Sequence, residues 1–495
     1  MKKGSRMLQI CVLAYNSVLH DARVLKEADS LAKFGYDVTV LGFGDNRATP
    51  GIYARPSGAS VQLLSTKPEI LNSSPQQVAS RLPRMVVRGI IGALAAGLLY
   101  LLGVLALYIS GSKYSLLLML PVISLIGAIA LVGELRIKQA AKRISRMVGR
   151  MAGKLLKPFL RIAKRHLGNR IKQRILANAA IELRPGIIHC HDLMTLPAGQ
   201  YVKAHCGAKL VWDAHEIYEE VAQSDKAARR RSRRIMRMNQ KGVDAFITIN
   251  DSIAGFYADK YPFLPPAVIV KNATMPIAPF NYDGRLHAKA NLPRNQRIAL
   301  YQGGFAEKRG LRKLVAAAEF LNPSWTLVMM GWGRLEETLR QISADVANRT
   351  SERTLPSVVF LPPSPQAELH LWTAGAEVGL IPYERTGLNH LYCTPNKLWE
   401  YPNAGVPILC SPLIEMSKVI TKHGVGWLLP DDPAPEAIAG RINCLTESAL
   451  ATARSACRTY VATDNWTVYE RRLAILYDAL ASNAARASCC QVDTG

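Results

Sequence analysis

The 495-residue sequence contains nine cysteines, and no two of them form a CxxC pair. They are scattered singly apart from Cys489 and Cys490, and their number is odd. Both facts argue against a disulfide framework and against a cysteine zinc site, and they favour a reducing, cytosolic environment. The apolar run of residues 7–15 also lacks the small-residue cleavage site of a secretory signal, so we expect it to be the first strand.

Acidic residues are scarce. There are 37 Asp and Glu against 62 Lys and Arg, which gives a net charge of +25. Fourteen Lys or Arg and no acidic residue lie between Arg136 and Leu176, and a second basic cluster lies between Lys226 and Arg237. Such charge suits nucleic acid or anionic lipid. No helix-turn-helix pattern or aromatic-interleaved motif accompanies it, so we expect no nucleic-acid partner.

Charge is absent from residues 89–110 and 114–133, which only three residues separate. Roughly 20 residues at about 1.5 Å each match the hydrocarbon core of a bilayer, so we predict an antiparallel membrane hairpin. Several basic residues flank the hairpin on both sides, whereas the turn between its two stretches contains a single basic residue, Lys113. This distribution places both soluble parts on the cytoplasmic face of a cell membrane. Pro121 leaves room for a re-entrant hairpin, and a buried helical pair in a soluble core is the alternative.

Basic residues recur at helical spacing after the hairpin, from Lys138 to Arg165, with apolar residues between them. A cationic helix face suits the headgroups of anionic membrane lipids, at about 1 kcal/mol per charge. Pro158 interrupts the pattern, and a solvated helix face is the alternative interpretation.

The remainder alternates short apolar runs with amphipathic helices, a pattern that predicts parallel sheets in two α/β domains with a cleft between them. The predicted strands are residues 8–15, 37–41, 61–64, 186–190, 210–212 and 245–249 in the first half, and 298–301, 325–330, 358–361, 378–381, 408–410 and 426–429 in the second.

Two histidines, His189 and His191, lie near the end of a predicted strand and share one of its faces by alternation. A zinc site needs three or four convergent ligands, and only Asp213, His215 or Glu216 offer more. Zinc binding and a purely structural histidine pair both stay open.

A loop that contains Gly303, Gly304, Lys308 and Arg309 connects a predicted strand to a helix. Glycines let the backbone approach phosphate closely, and two cations at a helix start favour negative charge. An ordinary basic surface is the alternative.

Residues 393–409 form a polar turn, a short helix that ends at Gly405, and an apolar strand. This order places Lys397 and Glu400 at the carboxyl end of a parallel sheet, where α/β proteins bind nucleotides. The segment resembles the donor-binding signature of nucleotide-sugar glycosyltransferases, in particular family 4 (group 1).

The resemblance implies an α/β fold of the GT-B type, in which two Rossmann-like domains with parallel sheets face a cleft. The N-terminal domain would comprise residues 1–82 and 176–280, interrupted by the hairpin and basic segment at 83–175. The C-terminal donor-binding domain would comprise residues 295–462, and a helix at 463–482 would cross back to the N-terminal domain.

The resemblance also implies site residues. His191 would be catalytic and contact the sugar or its attacking hydroxyl, and Asp213, His215 and Glu216 would line the acceptor side. Glu400 would accept hydrogen bonds from the ribose. The other donor-binding residues would be Gly303, Gly304, Lys308, Arg309, Tyr383, Asn396 and Lys397. The family pattern has an arginine where Gly304 stands and an acidic residue where Tyr392 stands.

The activity implied is a membrane-associated, retaining transfer of a sugar from a nucleotide diphosphate sugar to a lipid-linked or glycan acceptor. It implies no cofactor and no metal, and the absence of an Asp-x-Asp motif agrees. Two other classes stay open: an inactive homologue that acts as a membrane-bound assembly factor for polysaccharide synthesis, which Gly304 and Tyr392 motivate, and an epimerase or phosphorylase with the same fold.

Overall fold

The computed structural model describes residues 7–46, 48–65, 168–221 and 226–489. The predicted hairpin and most of the basic segment that follows it lie outside these ranges. Within them, no helix combines the length with the apolar character that a membrane crossing requires.

The N-terminal domain is built on an eight-stranded sheet in the order β3-β4-β2-β1-β5-β6-β7-β8. All neighbouring strands are parallel except β3 and β4. The strands are β1 (Gln9–Leu13), β2 (Asp37–Phe43), β3 (Gly51–Ala54), β4 (Ser60–Leu64), β5 (Ile187–His191), β6 (Lys209–Ala214), β7 (Ala245–Thr248) and β8 (Ala267–Ile269). The central strands β1, β5 and β6 are buried on both faces because helices cover both sides of the sheet.

Five helices of the described residues accompany this sheet: α1 (Ala22–Lys33), α2 (168–182), α3 (Asp192–Cys206), α4 (Lys226–Asn239) and α5 (Asp251–Lys260). Helix α1 begins after Asp21, whose carboxylate accepts a hydrogen bond from the Val24 amide and so caps the first turn. Val24, Ala28 and Leu31 recur at helical spacing and are buried, which fixes α1 on the sheet.

The C-terminal domain is built on a six-stranded, fully parallel sheet in the order β11-β10-β9-β12-β13-β14. Its strands are β9 (Arg297–Gly304), β10 (Trp325–Trp332), β11 (Val358–Leu361), β12 (Val378–Ile381), β13 (Ile408–Cys410) and β14 (Gly426–Leu428). Its helices are α6 (Arg285–Ala290), α7 (Leu311–Ala317), α8 (Glu336–Arg349), α9 (Leu369–Thr373), α10 (Leu388–Leu391), α11 (Lys397–Asn403), α12 (Ile414–His423), α13 (Pro435–Asn443) and α14 (Glu447–Thr463).

The last helix, α15 (Trp466–Cys489), follows the C-terminal domain and packs against α1. The Trp466 indole Nε1 donates to Ser30 Oγ at 2.9 Å, and Tyr36 and Asp478 share a hydrogen bond of 2.5 Å. Helix α15 therefore ties the end of the chain to the N-terminal domain.

Each sheet has a point at which successive strands are added on opposite sides of a central strand. In the N-terminal sheet this point lies between β1 and β5, and in the C-terminal sheet it lies between β9 and β12. Loops leave in opposite directions there and open a crevice at the carboxyl ends of the strands, where α/β proteins bind ligands.

Candidate functional site

A cavity of about 550 Å³ lies at the carboxyl ends of β9 and β12, and we call it the β9–β12 pocket. Every predicted donor-binding residue except Lys308 lines it: Gly303, Gly304, Arg309, Tyr383, Asn396, Lys397 and Glu400. Lys308 is not among the lining residues, and its backbone carbonyl accepts a hydrogen bond from the Glu384 amide at 3.1 Å.

Lys397 is the first residue of α11 and is only 8% exposed. Its amine lies against the backbone of Gly303, where a Cβ atom would sit 3.0 Å from Nζ. Gly303 also has φ +118°, a conformation that favours glycine. Glycine therefore suits this position both because of its backbone conformation and because a side chain would crowd the lysine amine. Burial lowers the pKa of Lys397 to about 8, and the neighbouring Glu400 opposes the shift.

Arg309 supplies a second cation to the pocket. Its guanidinium contacts the Tyr383 hydroxyl and lies 4.6 Å from the centre of that ring, while Lys397 Nζ donates to the same hydroxyl at 3.4 Å. Among the described residues, neither cation forms an ion pair with a carboxylate. Two uncompensated cations that face one cavity favour an anionic ligand such as a phosphate.

Glu400 also lines the pocket, one helical turn after Lys397 on α11. Its Oε2 accepts from Gln302 Nε2 at 3.2 Å and its Oε1 from Gln366 Nε2 at 3.4 Å. Neither glutamine was predicted from the sequence, and neither was Trp332, which lines the pocket and is 57% exposed. Gln302 directly precedes the glycine pair, a position that could have indicated it, whereas no motif near Gln366 in the sequence could have done so.

Tyr392 stands where the resemblance expects an acidic residue, and it is not among the residues that line this pocket. It is partly buried against the apolar core of the N-terminal domain, and its carbonyl accepts a hydrogen bond from Asn250 at 2.7 Å. Tyr392 therefore contributes to the contact between the domains.

The predicted catalytic and acceptor-side residues converge in a histidine cluster at the ends of β5 and β6, formed by His189, His191, Asp213 and His215. The Nδ1 atom of His191 lies 3.2 Å from Asp213 Oδ2 and 3.1 Å from His215 Nε2. His191 is 1% exposed and Asp213 is fully buried, whereas the His215 side chain is 20% exposed. His191 thus lies deeper than its predicted place in the cleft, and His215 is the exposed member.

Two residues of α1 complete the cluster. Arg23 donates to both carboxylate oxygens of Asp213, at 2.9 and 3.0 Å, and pairs with Glu27 at 3.1 Å. Both residues are buried, although charged residues of an amphipathic helix such as α1 are expected on its solvent-facing side. Burial would raise the pKa of Asp213, but Arg23 and His215 outweigh it and hold that pKa well below its usual range.

The other ionisable groups at this end of the sheet are perturbed as well. Burial would lower the pKa of His215, but Asp213 raises it to about 9. Burial and the nearby Asp192 raise the pKa of Glu216 to about 7. At pH 7 the acceptor side predicted from the sequence therefore holds a protonated His215 next to Glu216, a carboxyl group whose pKa is close to that pH.

The residues of the β9–β12 pocket and those of the histidine cluster belong to one cleft between the domains. A second cavity, of about 320 Å³, has Lys26 of α1 on one wall and Asn396 and Glu400 on the other. Across the cleft, the Asn389 side chain accepts from the Ile217 amide at 2.7 Å and donates to the Ile217 carbonyl at 3.0 Å. The β9–β12 pocket thus faces the domain that carries the histidine cluster.

Comparison with known proteins agrees with this geometry. Residues 296–448, which include all of the predicted donor-binding residues, match the family model described as "Glycosyl transferases group 1". No curated protein sequence matches the chain.

Solved structures share the whole architecture. Sucrose-phosphate synthase from Thermosynechococcus elongatus aligns with a TM-score of 0.61 and 14% identity, over 97% of this chain and 100% of that one. Anabaena HepE, in complex with UDP and glucose, aligns with a TM-score of 0.59 and 10% identity, over 95% of this chain and 100% of its own. An α,α-trehalose-phosphate synthase from Burkholderia xenovorans gives a TM-score of 0.57 at 10% identity, over 95% and 99% of the two chains.

At these identities the structural likeness establishes the fold, and the prediction of a GT-B-like α/β fold with parallel sheets is confirmed. The family match in the C-terminal domain confirms the predicted class of enzyme, a glycosyltransferase.

Proposed function

We propose that this enzyme moves a sugar from a nucleotide diphosphate sugar to a hydroxyl of a lipid-linked or glycan acceptor, with retention of anomeric configuration. The observation that carries the proposal is the β9–β12 pocket, which Lys397, Arg309 and Glu400 line and in which neither cation has a carboxylate partner within the described part of the chain. The structure of HepE with UDP and glucose supports the same class of donor by analogy.

The donor would lie with its diphosphate at the two cations and its ribose at Glu400. A carboxylate accepts hydrogen bonds only, which suits the two hydroxyls of a ribose. Gln302 and Gln366 hold the carboxylate in place through the hydrogen bonds described above. Trp332 and Ser364 also line the pocket. Trp332 offers an apolar surface to the base of the nucleotide, and Ser364 offers a polar group.

In the transfer step, the bond between the anomeric carbon and the diphosphate oxygen breaks, and the electron pair leaves with the diphosphate. Lys397 and Arg309 stabilise the negative charge that develops there. The acceptor hydroxyl forms the new bond on the same face of the sugar, and its proton passes to the departing diphosphate. His215, the exposed member of the histidine cluster, would bind the sugar or the attacking hydroxyl, and the buried His191 and Asp213 would position its ring.

The membrane setting is part of the proposal. It is supported by the two uncharged stretches of the sequence and by α4, which carries six arginines between Arg229 and Arg237. A surface of this charge suits anionic lipids. The acceptor would then be presented at the cytoplasmic face of a cell membrane.

The test is turnover by the purified full chain, offered a panel of radiolabelled nucleotide sugars and lipid-linked or glycan acceptors. We expect one donor to yield a labelled product, with nucleoside diphosphate released only when an acceptor is present. Lys397→Gln should lose this turnover, and Lys422→Gln, which changes an exposed lysine elsewhere in the domain, should keep it. Release without an acceptor would contradict a transferase and favour an epimerase or phosphorylase.

Absence of both turnover and binding for every donor would favour the inactive assembly factor. The anomeric configuration of the product, read by NMR, tests retention. Because protein cations hold the diphosphate in this proposal, titration with Mg²⁺ should leave the rate unchanged.

A further inference from the structure

A second set of potential ligands lies beneath the cleft, apart from the β9–β12 pocket. Glu27, His189, His191 and Asp213 each offer one atom, and these four atoms lie within 4.8 Å of one another. Each of the four residues is at most 1% exposed. They come from three elements, α1, β5 and β6. Because these elements are far apart in the sequence, no local motif indicates the cluster.

The two imidazole rings are held by hydrogen bonds on their outer side. His189 Nδ1 lies 2.6 Å from the Tyr477 hydroxyl, and His191 Nδ1 lies 3.2 Å from Asp213 Oδ2. The rings stack with their centres 4.3 Å apart. Metal binding requires the tautomer that donates from Nδ1, in which Nε2 presents its lone pair. The Tyr477 hydroxyl and the Asp213 carboxylate can each accept that Nδ1 proton.

No donor meets either Nε2 atom among the described residues. The Nε2 atoms of His189 and His191 are buried without a hydrogen-bond partner, and so is Oε2 of Glu27. That oxygen lies 3.8 Å from His189 Nε2 and 3.7 Å from His191 Nε2, which is too long for hydrogen bonds. Both distances lie within the span of two ligands bonded at about 2.0–2.2 Å to one cation.

We propose that Glu27, His189 and His191 bind a divalent transition-metal ion, for which Zn²⁺ is the probe, through Oε2 of Glu27 and the two Nε2 atoms. Two imidazoles and one carboxylate form a set that zinc sites use, and imidazole ligands favour such ions over Mg²⁺ or Ca²⁺. Tyr477 and Asp213 take the place of the outer hydrogen-bond partners that orient metal-bound histidines.

Arg23 does not prevent this assignment. It neutralises Asp213 through two hydrogen bonds, and its remaining NH1 contacts go to the Val270 carbonyl and to Asn272, at 2.8 and 2.9 Å. Asp213 therefore supports the His191 ring. Arg23 also pairs with Oε1 of Glu27 at 3.1 Å, which leaves Oε2 of Glu27 as the carboxylate oxygen for the ion.

The ion would fix three elements of the N-terminal domain together with Tyr477 of α15. It would hold the His191 ring in position below His215, so its role is to position the site. No step of sugar transfer passes through it. With Nε2 on the ion and Nδ1 at Asp213, His191 has no nitrogen left for the sugar, so the contact with sugar or acceptor falls to His215.

The experiment measures metal retained by the tag-free full chain after chelator treatment, incubation with Zn²⁺ and desalting. We expect about one equivalent in the wild type, as for a site with three protein ligands. Glu27→Gln should fall to background, whereas Glu377→Gln, which changes a carboxylate in the C-terminal domain, should retain the wild-type amount. Tyr477→Phe removes only an outer hydrogen bond and should weaken Zn²⁺ binding by about 10- to 100-fold.

Two measurements on the wild type keep the proposal testable if Glu27→Gln does not fold. Zn²⁺ should raise the unfolding temperature of the chelator-treated protein, and Co²⁺ in its place should give visible d–d bands. A wild type that retains no metal and gains no thermal stability with Zn²⁺ would overturn the proposal. Zn²⁺ retention by Glu27→Gln equal to that of the wild type would overturn it as well.

Discussion

Lys397 is a buried lysine without a carboxylate partner among the described residues, so its charge is sensitive to pH. Its pKa is lowered to about 8, which means that the amine loses its proton as the pH rises through that value. The neutral amine no longer attracts a diphosphate. We expect kcat/KM for the donor to fall as the pH rises above about 8, because kcat/KM reports the ionisations of the free enzyme.

A pH profile of the variants separates Lys397 from other groups. Lys397→Gln should have a lower kcat/KM at pH 7, by about 10- to 100-fold for a lost charged hydrogen bond, and no fall above pH 8. Lys422→Gln should keep the wild-type profile. An alkaline fall that persists in Lys397→Gln would assign it to another residue.

Glu400 is the second residue whose role can be isolated. Glu400→Ala removes both acceptor oxygens, so we expect the donor KM to rise about 10- to 100-fold, as for loss of charge-assisted hydrogen bonds. Isothermal titration with the nucleoside diphosphate measures the same loss without an acceptor. Glu436→Gln, at the start of α13, is the matched control, and unchanged affinity of Glu400→Ala would contradict the assignment.

The sequence indicated residues that lie close together within one motif, and it missed those brought in from a distance. Lys397 and Glu400 share one turn of α11, so their spacing alone placed them on one pocket. Arg23 and Glu27 reach Asp213 from about 190 residues away, and no local pattern predicts such a contact. Lys308 shows the opposite error, since its position beside Arg309 did not bring it to the pocket.

At the scale of elements, the turn between β9 and α7 depends on Gly310. Its φ is +67°, and a Cβ atom there would lie 1.9 Å from the Pro382 carbonyl oxygen at the end of β12. Gly310→Ala therefore strains the backbone and forces the two strand ends apart. We expect it to lower the free energy of unfolding by about 1–3 kcal/mol, measured by chemical denaturation.

Gly304 provides the control for this prediction. It belongs to the same loop, but its φ is not positive and a Cβ atom would meet nothing within 4 Å. Gly304→Ala should change stability by less than about 0.5 kcal/mol. Equal effects of the two substitutions would show that the approach of Gly310 to Pro382 is not what limits the turn.

The interior strands were predictable and two edge strands were not. β5, β9 and β12 each contain a short apolar run, because both faces of their sheets are covered. β3 is an exposed, antiparallel edge strand, and β8 is three residues long and only partly buried, so neither gives a strong apolar signal. The alternation of strands with helices predicts that the strands are parallel. It does not predict on which side of the growing sheet each new strand is added.

At the scale of the whole molecule, the chain connects its two domains at several places. Helix α15 packs on α1, and Tyr477 of α15 reaches His189 in the centre of the N-terminal sheet. On the opposite domain, the short helix α10 reaches across the cleft through Asn389. We expect these two hydrogen bonds to limit the width of the cleft in which donor and acceptor would meet.

Asn389 gives the sharpest test of this idea, because its side chain bonds both the amide and the carbonyl of Ile217 in the other domain. Asn389→Ala removes both hydrogen bonds, so we expect a wider cleft, a larger radius of gyration by small-angle scattering, and a higher KM for the acceptor. Asn443 is a matched control: it accepts from the Asn322 amide and donates to the Phe320 carbonyl, both at 2.9 Å, within one domain. Asn443→Ala should lower the stability of the C-terminal domain while cleft width and KM stay unchanged. If both variants left the scattering profile and KM as in the wild type, Asn389 would not control closure.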